Sequence, residues 1–365
     1  MGRKVHPGMI IGDLKIHSFS HHTENTHHLV PWWQCECSCG KLIVVSRHWL
    51  SARIKFGRAV SCGHEEWEWP DCNLSELDFA YLAGLTDSEG TIGISHLWTT
   101  QAGYESYAPF FVIGMTSELP NQIHRQTGIG TLCVRPSQAA EWMPTQIWQL
   151  CQKDIKKLIP RLLPYLILKQ EQAILVKKYI EMSAQPCRIT YRQSPGYIDA
   201  VSQIHNQLSA INERGVMHHF NGALPEYKNR STRMAYLAGF VDGDGCFSIS
   251  RPQVPIGTPR YQPRLGIDIC HDGLFAIRSL FDNIGMIRLR KARSSSRAPT
   301  YCWKMNRTCL QEILPSLVPH LRLKRQQADI IQELLRLYGR HNFGRGADAA
   351  ERLYLQMREL NRRGL

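Results

Sequence analysis

Two stretches, LAGLTDSEG at Leu82–Gly90 and LAGFVDGDG at Leu237–Gly245, carry nearly the same nine residues. Their acidic eighth positions, Glu89 and Asp244, lie 155 residues apart (244 less 89). The same offset relates Gly130 to Gly285, Trp148 to Trp303, Pro164 to Pro319 and Lys169 to Lys324. Around the lysines the text reads LLPYLILKQEQA and LVPHLRLKRQQA. A constant offset over so long a span requires two copies of one structural unit. The period is too long for a solenoid, whose repeat is one supersecondary element. Each copy is a small domain, and the chain is a pseudo-dimer.

The surroundings of the motifs set the fold class. Each copy begins with a helical segment, SELDFAYLAGLTDSEG or STRMAYLAGFVDGDG, for which Ser75 and Ser231 are the expected N-caps. Strands follow with period-two alternation, TIGISHLW then SYAPFFVIGM, and CFSISRPQ then QPRLGIDIC. A helix is predicted over 118–127 and 273–283, then a second hairpin, TLCVRP to QIWQLC and MIRLRKA to TYCWKM. Helices end each copy. The predicted class is α+β, with the order αββαββα twice. Three segments are expected: a Cys-rich β module at 1–66, a first repeat with its connecting segment at 72–226, and a second repeat at 227–365. The connecting segment includes a further predicted helix, YIDAVSQIHNQLSAINERG.

The motif helices carry the chemistry. Ala83-Gly84 and Ala238-Gly239 present almost no side chain, so the two helices can pack backbone against backbone. Gly90 and Gly245 stand where the helices should end. Glu89 and Asp244 then meet at the C-terminal ends of two adjacent helices. Like charges are close, and both face the negative end of a helix dipole. A divalent cation resolves that conflict, and oxygen ligands at a phosphate-binding surface point to Mg²⁺. Asp87 and Asp242 are expected to bond locally, to the helix end or the linker.

Charge and cysteine usage narrow the partners. Lys and Arg number 44 against 31 Asp and Glu, a formal charge of +13, which points to a polyanion and first to nucleic acid. No apolar run is long enough to cross a membrane, and the N-terminus does not read as a secretory signal, so the cytoplasm or a translating organelle is expected. Four of the 12 cysteines, Cys35, Cys37, Cys39 and Cys62, fall in the first 70 residues. In a reducing compartment such clustering suggests metal. Cys35, Cys37 and Cys39 alternate as on a strand and would share one face. With His64 they give five candidates for a tetrahedral zinc site. Cys37, Cys39, Cys62 and His64 are the favoured set, and Cys35 is the substitute. The histidines at 17, 21, 22, 27 and 28 read as a loop.

The pattern W-x-C-x-C-x-C-G…S-C-G-H resembles the small Cys-rich zinc modules attached to phage and mobile-element endonucleases, although the last position there is usually Cys. The paired nonapeptides, the αββαββα order and the LK-x-x-QA signature resemble a single-chain, two-repeat LAGLIDADG homing endonuclease over about 72–365. That resemblance implies a monomeric double-strand DNA endonuclease, intron-encoded or otherwise mobile, with staggered cuts across the minor groove. It assigns the metal to Glu89 and Asp244. It places Lys169 and Lys324 near the scissile phosphate, with Gln172 and Gln327 from the same signature as weaker candidates. A two-stranded ribbon fits the major groove. The expected groove readers are Ser95, His96, Gln101, Tyr104 and Arg135 in the first copy. In the second they are Ser248, Ser250, Arg251, Gln262, Arg264, Asp268, Arg288, Arg290, Lys291 and Arg293, with Arg297 adding charge. Phe247 and Ile249 are expected to face the core. Because the copies differ most at these positions, the target should be asymmetric. Rival readings on the same fold are an intron RNA maturase and a DNA-binding regulator, and both tolerate loss of the two acids that are present here. An intein is not expected, since neither chain end carries a splicing nucleophile or His-Asn. The N-terminal module would serve as a DNA clamp or a structural appendage.

Overall fold

The computed structural model describes residues 5–25, 28–38, 40, 42–55, 60, 74–99, 104–137, 143–183, 195–213, 216–252, 260–292, 298–338 and 347–362. By packing, the chain divides into two compact units. One comprises Met1–Asp71 with Ile180–Ser202, the other Cys72–Tyr179 with Gln203–Leu365.

The first unit contains a four-stranded antiparallel sheet in the order β1-β2-β3-β4, from Ile10–Ile11, Leu14–Asn25, His28–Cys37 and Leu42–Ser46, followed by helix α1, Arg47–Lys55. Its core gathers Leu14, Ile16, Cys35, Cys37, Ile43, Val45, Leu50 and Val60. Alternation along β3 does put Cys35 and Cys37 on one face, as expected, and that face is the apolar core. Cys35 is fully buried opposite Ile16, and burial pushes its thiol up to about 11. Cys35 and Cys37 pack there among Leu14, Ile16, Ile43 and Val45. Among the described residues no three metal-ligating side chains come together, and Cys39, Cys62 and His64 lie outside them. The expected zinc site therefore has no support in this structure. The histidines expected in a loop lie on strands where they are described, His28 opening β3, and His27 lies outside the described residues. His17, His21 and His22 lie on β2, and His21 stacks on Trp32 at 5.5 Å.

The second unit contains the duplication, apart from the end of the first copy and the start of the connecting helix at Ile180–Ser202. The first copy runs α2 (Glu76–Glu89), β5 (Gly90–Thr99), β6 (Tyr104–Met115), α3 (Leu119–Thr127), β7 (Thr131–Arg135), β8 (Thr145–Leu150), α4 (Gln152–Leu162), and α5 (Gln170–Ser183). Helix α6 (Pro195–Ile211) occupies the connecting region. The second copy runs α7 (Arg230–Asp244), β9 (Gly245–Ser250), β10 (Gln262–Ile269), α8 (Leu274–Ser279), β11 (Met286–Arg290), β12 (Thr300–Met305), α9 (Arg307–Leu317), α10 (Arg325–Tyr338) and α11 (Ala347–Leu360). Each copy forms an antiparallel sheet of the same order, β5-β6-β8-β7 and β9-β10-β12-β11.

The repeated tryptophans and glycines have one cause. Trp148 and Trp303 are fully buried, and each indole N–H donates to a turn carbonyl, Ile129 O at 2.9 Å and Ile284 O at 2.8 Å. The next residue in each turn, Gly130 or Gly285, has φ of +80° or +74°, a region that side chains resist. A Cβ at either glycine would also sit under 3.0 Å from the indole nitrogen. Burial of each such aromatic contributes roughly 2–3 kcal/mol.

Two capping expectations separate here. Ser75 caps α2 through a full capping box with Asp78. Helix α7 is capped by Asn229, which accepts from Thr232 N at 2.9 Å, while Ser231 lies inside the helix, its hydroxyl 3.2 Å from His320 Nε2. The signal was Asn229, two residues earlier, an equally good cap.

Candidate active site

Helices α2 and α7 pack along their motif faces at unusually short range. A Cβ on Gly84 would lie 1.9 Å from the Tyr236 carbonyl oxygen, and one on Gly239 would lie 1.9 Å from the Tyr81 carbonyl. Glycine is thus required at both positions by backbone contact. The helices end where expected, at Gly90 and Gly245. Gly90 and Gly245 have φ of −77° and −76° and lead straight into β5 and β9, with no left-handed cap. Their missing side chains matter for another reason: a Cβ would meet the carbonyl oxygens of Thr86 at 2.7 Å and Val241 at 2.6 Å.

Asp87 and Asp242 organise the site from below. Asp87 accepts the backbone N–H groups of Ile167 (2.8 Å), Leu168 (3.1 Å) and Lys169 (2.9 Å), and the Tyr236 hydroxyl of the other copy (2.8 Å). Asp242 does the same with Arg322 N, Leu323 N, Lys324 N and the Tyr81 hydroxyl. Both carboxylates are buried. Burial raises the Asp87 pKa, and the Lys169 charge and these hydrogen bonds pull against it. The expected local partners, the helix end or the linker, are not the ones found: the partners are the backbone at the start of the LK-x-x-QA segment and a tyrosine from the opposite repeat. Each acid ties its own copy together and locks it to the other.

That tie carries the lysines to the helix ends. Lys169 Nζ donates to Thr86 O and Asp87 O, both at 2.7 Å, and Lys324 Nζ donates to Val241 O at 2.9 Å and Gly243 O at 2.7 Å. Neither motif helix has a basic residue in its own last turn. The cations that offset the helix dipoles come from some 80 residues downstream in each copy. Burial lowers both lysine pKa values, and the surrounding carboxylates oppose that.

Glu89 and Asp244 project at these same ends. Burial raises the Asp244 pKa to about 6, the Glu89 charge adds to the rise, and Lys169 and Lys324 oppose it. Burial raises Glu89 as well, against the same two lysines. A Cβ on Gly243 would come 3.0 Å from Glu89 Cγ and 2.0 Å from Ser88 Oγ, so the two motif ends are in contact. Gln172 is buried, and its Oε1 has no hydrogen-bond partner among the described residues, whereas Gln327 is only half-buried.

The sheets place the other named residues. Phe247 and Ile249 face the core, and Ser248, Ser250, Gln262, Arg264 and Asp268 fall on the opposite face, as the alternation predicts. Arg288 and Arg290 are exposed on β11, and Lys291 follows them. Arg290 pairs with Asp268 at 2.6 Å, and Arg264 donates to Gln262 at 2.8 Å. Arg135 and Arg290 hold matching places, opposite Thr145 and Thr300. Ser95 is on the outer face of β5, where its hydroxyl donates to Ala108 O, and Tyr104 opens β6. Two residues fall elsewhere. His96 has the parity of Ile92 and Ile94, and it stacks on Tyr107 at 4.7 Å beside His205. Arg251 is engaged by Glu351 of α11 at 3.1 Å. Gln101, Arg293 and Arg297 lie outside the described residues. Gln149 and Lys304, exposed and opposite Thr131 and Met286, were missed. The signal was present, because the residue after a core tryptophan in a strand must point outward.

Residues 237–326 match the family model described as LAGLIDADG endonuclease. DNA endonuclease I-CvuI of Chlorella vulgaris is 31% identical over 112 residues, 28% of this chain; the chain spans 64% of that relative's length. Among solved structures, the meganuclease I-SmaMI bound to uncleavable DNA superposes with a TM-score of 0.59 at 17% identity, covering 78% of this chain and all of that one. The LAGLIDADG homing endonuclease I-GzeII in complex with its DNA target gives 0.56 at 16% identity, covering 78% and 99%. At such identities the structures share the fold. The family model covers the second repeat from its nonapeptide into its LK-x-x-QA segment, and the solved structures share the fold of the chain.

Proposed function

We propose that this chain is a site-specific endonuclease that cuts both strands of a long, asymmetric DNA duplex by divalent-cation-dependent hydrolysis. The observation that carries this reading is the meeting of Glu89 and Asp244, with Lys169 and Lys324 behind them, at the joined ends of α2 and α7. Two acidic side chains pressed together against burial fit a small hard cation. Mg²⁺ suits them because it keeps several waters and needs only one or two carboxylates beside substrate phosphates. Bound there, it would supply Lewis acidity and an acidified water for attack on phosphorus.

The protein's own groups do the rest. Glu89 and Asp244 hold the cation. Lys169 and Lys324 neutralise the helix ends and keep the centre electropositive toward an incoming phosphate. Gln172, whose buried carbonyl lacks a partner among the described residues, can order solvent beside Lys169. The outer sheet faces supply Ser95, Arg135, Gln149, Ser248, Gln262, Arg264, Arg288, Arg290 and Lys304 to the grooves. Both halves of the centre come from one chain, so a monomer suffices. The side chains differ between copies, so the two halves of the target differ too.

Cleavage of a randomised duplex library with Mg²⁺ tests the proposal, with Glu89→Gln plus Asp244→Asn as control. Double-strand cuts at one extended sequence, with short 3′ overhangs and none in the control, are expected. An uncut library, with binding to DNA or to a structured intron RNA that does not need Mg²⁺, would overturn it.

A further inference from the structure

The two halves of the centre are not equivalent, and the difference lies outside the repeated motifs. On the side of Lys169 and Asp244 the structure forms a cleft of about 950 Å³ whose lining includes Gln172, His218 and His271. By the 155-residue offset, the counterpart of His271 in the first copy is Thr116, an exposed residue. The first copy therefore has threonine at the place where the second has this histidine.

His271 is a built feature. The Gly273 N–H donates to its Nδ1 at 2.9 Å, which leaves Nδ1 as the acceptor and puts the ring proton on Nε2. The segment after α6 clamps the surrounding backbone. His218 N donates to Cys270 O at 3.0 Å, and Asp272 N donates to His218 O at 3.1 Å. Asp272 in turn accepts from Phe220 N at 2.6 Å and holds His219 at 2.8 Å. Burial, with nearby His218 and Lys169 assisting against Asp272, lowers the His271 pKa to about 4, so the ring is neutral at physiological pH.

We infer that His271 donates a hydrogen bond from Nε2 to the phosphate or its attacking solvent in the Lys169–Asp244 half of the centre, and so speeds cleavage of one DNA strand over the other. The inference rests on the endonuclease reading. A neutral fixed donor suits this place, because it adds a hydrogen bond to a developing oxyanion without needing a proton from solution.

The test uses strand-specific labels on the duplex recovered from the library, in the full-length protein. His271→Asn keeps an acceptor for the Gly273 N–H and removes the donor at Nε2, while His271→Gln restores a donor at that reach. His271→Asn is expected to slow one strand by about tenfold or more, the low end of what a single transition-state donor contributes. Nicked duplex should then accumulate, DNA affinity should stay within about twofold, and His271→Gln should recover much of the loss. An unchanged ratio of strand rates, or equal slowing of both strands, would overturn the inference. If the wild-type protein cuts neither strand, the endonuclease reading fails first and takes this inference with it.

Discussion

Gly84→Ala is the sharpest test of how the two repeats are joined. The added Cβ would stand 1.9 Å from the Tyr236 carbonyl oxygen and 2.9 Å from Phe240 N, against a floor near 3.0 Å for real contacts. Both obstacles are backbone, so no side-chain rotation relieves them, and α2 and α7 must separate by at least about 1.1 Å along that line. Overpacking of this kind costs about 1–3 kcal/mol even where side chains can yield. Separation also stretches the Tyr236–Asp87 and Tyr81–Asp242 hydrogen bonds, 2.8 and 2.7 Å long, each buried and made to a carboxylate. Their loss adds about 1.5–3 kcal/mol each. Alanine's better helix propensity returns up to about 1 kcal/mol. The expected net loss is about 3 kcal/mol or more, read from urea unfolding by far-ultraviolet circular dichroism. Gly239→Ala should match it, because its Cβ meets the Tyr81 carbonyl at the same 1.9 Å. Gly266→Ala, on an open face of β10 with nothing within 4 Å, should leave the midpoint within about 0.5 kcal/mol of wild type. Cleavage by any Gly84→Ala protein that still folds should fall about 100-fold, since a 1 Å misplacement at a reacting centre has that effect. A Gly84→Ala protein as stable as Gly266→Ala would refute the backbone-contact argument.

Acid should weaken the second unit partly through His271. Its folded pKa of about 4 lies below the ordinary value of 6.5, so protons favour the unfolded chain, and the stability it contributes above pH 6.5 is lost as pH falls toward 4. With the side chain 17% exposed, the effect should be roughly 2 kcal/mol, measured as the extra loss between pH 7.5 and 4.5 in wild type over His271→Asn; equal losses would rule it out. Arg322 joins the copies, pairing with Asp78 at 2.5 Å, donating to Gln126 at 2.8 Å and lying 4.1 Å over the Tyr81 ring. Arg322→Ala should cost about 2 kcal/mol, and Arg322→Lys should recover only part, because Lys lacks the planar fork; full recovery by Lys would show that charge alone matters.

The duplication, the helix-strand order and the outward face of β9 and β10 were legible in the chain because they depend on local rules: period, caps and small residues at fixed offsets. So was the pairing of Glu89 with Asp244, since two copies of one helix with an Ala-Gly face have one close way to pack. Tertiary structure decided the rest, because the deciding partners are remote. Cys35 looks like a ligand in a C-x-C-x-C run, but the fold turns it into the core of its sheet. Asn229 rather than Ser231 caps α7, a choice between two good caps that only the helix start could make. Lys169 and Lys324 reach the helix ends because Asp87 and Asp242 bind the backbone some 80 residues downstream, a contact that no local pattern announces. His271 gains its place from the segment after α6, which pairs beside it and breaks the symmetry of the repeat. The sequence by itself determined that there are two alike halves with an acid in each. The tertiary structure decided how closely they meet, which cations neutralise them and where they cease to be alike, because burial and long-range hydrogen bonding exist only once the chain has closed on itself.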